Sequence, residues 1–84
     1  MNAFDALKTA QKLIQDNPRA DRVQLFSVLY ALLDYAEKEQ DARYSPEGFA
    51  KLRGELYQHS FPRENPPEPH LLAQSIALFA AGIL

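Results

Sequence analysis

The stretch Arg22-Val23-Gln24-Leu25-Phe26-Ser27-Val28-Leu29-Tyr30-Ala31-Leu32-Leu33-Asp34-Tyr35-Ala36-Glu37-Lys38 decides the fold. Large apolar side chains at Val23, Leu25, Phe26, Val28, Leu29, Tyr30, Leu32, Leu33 and Tyr35 cover most of a helix's circumference. The remaining arc, Gln24, Ser27, Ala31, Asp34 and Lys38, is narrow. A helix so nearly apolar all round must be covered on more than one side, so the pattern predicts a helix near 18–40 at the centre of an all-α fold. Its start is read at Asn17-Pro18: Asn is a favoured N-cap, and proline at the first helical position lacks only an N–H that would have had no partner. The polar tail Glu37-Lys38-Glu39-Gln40-Asp41 leaves the core before Ser45.

Upstream, Phe4, Leu7, Ala10 and Ile14 recur at steps of three and four, with Ala3, Ala6 and Leu13 widening the stripe and Lys8, Gln11, Lys12 and Gln15 falling elsewhere. The spacing predicts an amphipathic helix over 3–16, capped by Asn2 with Asp5 three residues on, and stopping before Pro18. Downstream, Ser45-Pro46-Glu47 is the clearest helix start in the chain, combining a capping hydroxyl, a proline at the first helical position and an acid where the helix dipole favours it. The helix it opens, 46–59, carries Phe49, Leu52 and Leu56 inward. Gly54 weakens it by about 1 kcal/mol relative to Ala. Either another backbone comes close at Gly54 or the position is unselected.

Residues 61–69, Phe-Pro-Arg-Glu-Asn-Pro-Pro-Glu-Pro, hold four prolines in nine positions. That composition favours an extended, stiff connector over helix or central strand. As a ligand for a proline-recognition domain it lacks a Pro-x-x-Pro with a flanking base. The last segment, 70–83, keeps only Gln74 and Ser75 clearly polar after His70 and is read as a helix. It is too short to cross the roughly 30 Å hydrocarbon core of a bilayer at about 1.5 Å per residue. The expectation is one α-helical domain over residues 1–84, a compact bundle-like set of four helices near 3–16, 18–40, 46–59 and 70–83, with a proline-rich connector before the last.

Composition narrows the function. Of 84 residues, 22 are Leu, Ile, Val or Phe, above the roughly 20% below which chains stay disordered. At this size only about 60% of the unfolded surface is buried, which leaves room for a partner or a second copy to complete the core. With no Cys there is no disulfide framework, thiolate zinc site or cysteine nucleophile, which fits a reducing compartment and makes the cytoplasm the default. A net charge of −2 disfavours a protein whose task is to neutralise phosphates. The acid in Met1-Asn2-Ala3-Phe4-Asp5 stands where a secretion signal carries Lys or Arg.

Catalytic constellations are weak. Glu55 and His59 are four apart and share a helix face, with His70 beyond the prolines, yet no His-Glu-x-x-His is present and no metal or other cofactor is expected. None of Thr9, Ser27, Ser45, Ser60 or Ser75 sits in a nucleophile-elbow pattern, and three scattered glycines make no phosphate cradle. The expectation is a non-catalytic protein-protein interaction module, an adaptor, chaperone-like subunit or inhibitor of a larger protein. It docks through apolar helix faces onto another protein or a second copy of itself. Leu72, Ile76, Phe79 and Ile83 form the expected interface stripe on the last helix, and Tyr30, Tyr35, Tyr44 and Tyr57 serve either core margins or an interface. The alternative is a dimeric DNA-binding regulator that uses Lys8, Lys12, Arg19 and Arg22 around the first helix junction. The apolar Val23, Leu25 and Phe26 at the start of the second helix speak against base readout there.

Overall fold

The computed structural model describes residues 1–17, 21–60 and 69–82, in four α-helices and no strand among them. Helix α1 runs Ala3–Asp16, α2 Arg22–Lys38, α3 Pro46–Ser60 and α4 Pro69–Ala80. This is the all-α, four-helix architecture that the apolar spacing predicts. Most of the proline-rich connector, 61–68, lies outside the described residues, and Pro69 is the first residue of α4.

Helix ends follow local chemistry. Asn2 Oδ1 accepts from the Asp5 N–H at 2.7 Å, and Ser45 Oγ accepts from the Gly48 N–H at 3.0 Å, so both expected caps form. The start of α2 differs from expectation. Asp21, not Asn17, is its N-cap, with Oδ1 accepting from Gln24 N–H at 3.1 Å. The Asn17 side chain instead donates back to the Leu13 carbonyl at 2.9 Å, satisfying one of the orphan acceptors at the end of α1. Helix α2 closes early because Gln40 adopts φ +53°, the left-handed turn that ends many helices. Gly82, at φ +80°, does the same after α4.

The helices form a ring. Helix α1 lies beside α2 and α4, and α3 lies beside α2 and α4, while the diagonal pairs do not approach. Each helix therefore turns one stripe inward: Ala3, Ala6, Leu7, Ala10 and Ile14 from α1; Leu29, Leu33 and Ala36 from α2; Phe49, Leu52, Leu56 and His59 from α3; Leu72, Ala73, Ile76, Phe79 and Ala80 from α4. The α1–α4 pairing is the most extensive, and both helices bury alanines there, whose small side chains let axes come close. Helix α2 is not the centre of the fold. In a ring each helix has two neighbours and one open side, so Val23, Val28 and Tyr35 face solvent despite the apolar density of the segment.

One end of the ring is closed by aromatics. Phe79 of α4 lies against Phe49 of α3, centroids 4.9 Å apart and edge-on, and against Tyr44 in the α2–α3 turn at 5.1 Å. The Tyr44 hydroxyl donates to the Ala80 carbonyl at 2.7 Å, and burial pushes its phenol pKa up, which keeps the donor protonated. Gly48 makes room for this cluster, because a Cβ there would overlap the edge of the Phe79 ring. Gly54, the glycine that the sequence singles out, has open space around it. Arg53 of α3 pins α2 from the other flank, donating to Asp34 at 2.8 Å and Glu37 at 2.6 Å.

The two glycines give opposite expected outcomes. Gly48→Ala lowers stability by about 1–3 kcal/mol through overpacking, whereas Gly54→Ala raises it by about 1 kcal/mol through helix propensity. Urea unfolding of both variants checks this, and a Gly48→Ala midpoint equal to the parent's would show that the ring yields freely.

Candidate protein-interaction surfaces

The expected interface stripe on α4 is core. Leu72, Ile76 and Phe79 are 2%, 2% and 1% exposed, packed by the chain's own helices, and Ile83 lies outside the described residues. Periodicity identifies an apolar stripe but does not say whether the same chain or another covers it. The apolar residues that α4 turns to solvent are Leu71 and Leu78, 47% and 38% exposed and seven positions apart, with exposed Gln74 between them. No Asp, Glu, Lys or Arg occurs from Pro69 onward. Phe79→Asp is therefore expected to unfold the domain, while Leu78→Asp keeps parental helicity by circular dichroism. The reverse result would invert the assignment of the two faces.

A second surface lies on the α1–α2 edge. The Tyr35 hydroxyl donates to the Met1 carbonyl at 2.5 Å, which brings the C-terminal half of α2 against the start of α1. The Glu39 carboxylate beside it raises the Tyr35 pKa, so the phenol stays a donor. Met1 and Phe4 on one side and Val28 and Tyr35 on the other are all exposed, and Leu25 and Leu32 are half-buried along the same side of α2. Phe4, read from the sequence as part of the inward stripe of α1, lies at this margin instead. Between Val23 and Ala36 the only charge is Asp34, which Arg53 engages on the opposite flank of the helix.

Lys8 and Lys12 are exposed one turn apart on α1, on a helix that also exposes Asp5 and Asp16. Arg19 and the side chain of Arg22 lie outside the described residues. Of the weaker pair, Glu55 is half-buried and His59 is buried on the core side of α3, while His70 is exposed at the start of α4. Among the described residues no group of three or more His, Cys, Asp or Glu side chains could hold a metal ion.

The α2–α3 turn forms an open cleft lined by Glu37, Asp41, Tyr44, Ser45 and Phe49, among others. Its carboxylates and the Ser45 hydroxyl are already engaged by the protein. Arg43 grips Asp41 through two nitrogens, the closer at 2.7 Å, while Glu37 holds Arg53 and the Ser45 hydroxyl caps α3. The carboxylates of the cleft and its capping hydroxyl are thus spent on stapling the turn. Hydrogen bonds from Arg43 hold the Asp41 carboxyl at a pKa of about 2. The pair therefore favours the fold above the ordinary carboxylate range and ceases to do so as pH falls through about 2. A carboxyl-carbon titration by NMR is expected to give Asp41 that midpoint and to return it toward about 4 in Arg43→Ala. An unmoved midpoint would remove Arg43 as the cause.

Compared with models of protein families, with curated proteins and with solved structures, the chain matches none. Three features here escape a pattern-based reading: the inward side of α4, the role of Gly48 and the Tyr35–Met1 contact. One signal was present for the first. Gln74, three residues after Leu71 and four before Leu78, marks the side of α4 that meets water.

Proposed function

We propose that this protein is a non-catalytic interaction module that docks an amphipathic helix of another protein onto its α1–α2 edge. The observation that carries this reading is the joint exposure of Met1, Phe4, Val28 and Tyr35 along an edge whose α2 side offers no free charge between Val23 and Ala36. Scattered apolar residues are ordinary on protein surfaces, but several together, beside a stretch of α2 whose one charge is engaged elsewhere, suit burial against a partner. Such an edge takes an apolar helix stripe, and the phenol of Tyr35 supplies area with a wet rim. Lys8 and Lys12 on α1 and Lys38 and Glu39 at the end of α2 supply charges at the border, which set partner choice more than affinity. An adaptor, a chaperone-like subunit and an inhibitor would all work by this docking.

Val28→Glu and Phe4→Glu place a charge on the edge at positions that the core does not use. Stability is expected to stay within about 0.5–1 kcal/mol of the parent. Affinity purification from the native host is expected to retain one protein in near-stoichiometric amount with the parent chain and to lose it with either variant. Equal retention by the variants, or no stoichiometric protein with the parent, overturns the reading.

A further inference from the structure

We draw no further inference here: the strongest candidate, the exposed pair Leu71 and Leu78 on the outer face of α4, carries nothing because nothing in the structure shows what covers it.

Discussion

The seating of Phe79 over Gly48, between Tyr44 and Phe49, fixes the rotation of α4, and the rest of the molecular surface depends on that rotation. An almost wholly apolar helix has little of its own to say about which side turns inward. The aromatic ring answers the question because it fills a site that exists only where α3 carries no Cβ. Tyr44 holds the same end a second time by donating its buried hydroxyl to the Ala80 carbonyl at the last turn of α4. Burying a Phe stabilises by about 1.5–3 kcal/mol, and a buried hydrogen bond adds about 0.5–1.5 kcal/mol. Leu72 and Ile76 are buried on the same side as Phe79, so turning Leu71 and Leu78 inward instead would bury two large side chains in place of three.

Once α4 is fixed, the ring determines what faces outward elsewhere. A helix in a four-membered ring buries little more than one stripe, so α2, with nine large apolar residues between Val23 and Tyr35, carries more than it can bury. The surplus goes to its two flanks. On the α3 side the flank is closed by Arg53 bridging Asp34 and Glu37. Such partly exposed pairs contribute little stability, and they rim the flank that α3 occupies. On the α1 side the surplus stays open, next to Met1 and Phe4.

The four helices, their capping at Asn2 and Ser45 and most of their inward stripes were legible in the sequence, because each rests on local chemistry or on a 3.6-residue period. The start of α2 was misplaced because Asn17 and Asp21 are both good caps, and the choice depends on whether Asn17 is more useful to the end of α1. The central role expected of α2 failed because apolar density measures how much a helix could bury, whereas ring topology determines how much it does. Gly48 and Gly54 are alike as letters. Only the ring of Phe79, 31 positions away from Gly48, separates a required glycine from a replaceable one. The interface stripe was displaced to the core for a related reason: Leu72, Ile76 and Phe79 were correctly joined as one face, but nothing local says which chain covers it.

The two exposed apolar surfaces differ in the charges that surround them. Along the α1–α2 edge the border is asymmetric, with lysines on α1 and a lysine-glutamate pair closing α2. An asymmetric border is suited to a partner with a different charge pattern. The outer side of α4 carries no Asp, Glu, Lys or Arg, so no charge there could set a partner's register.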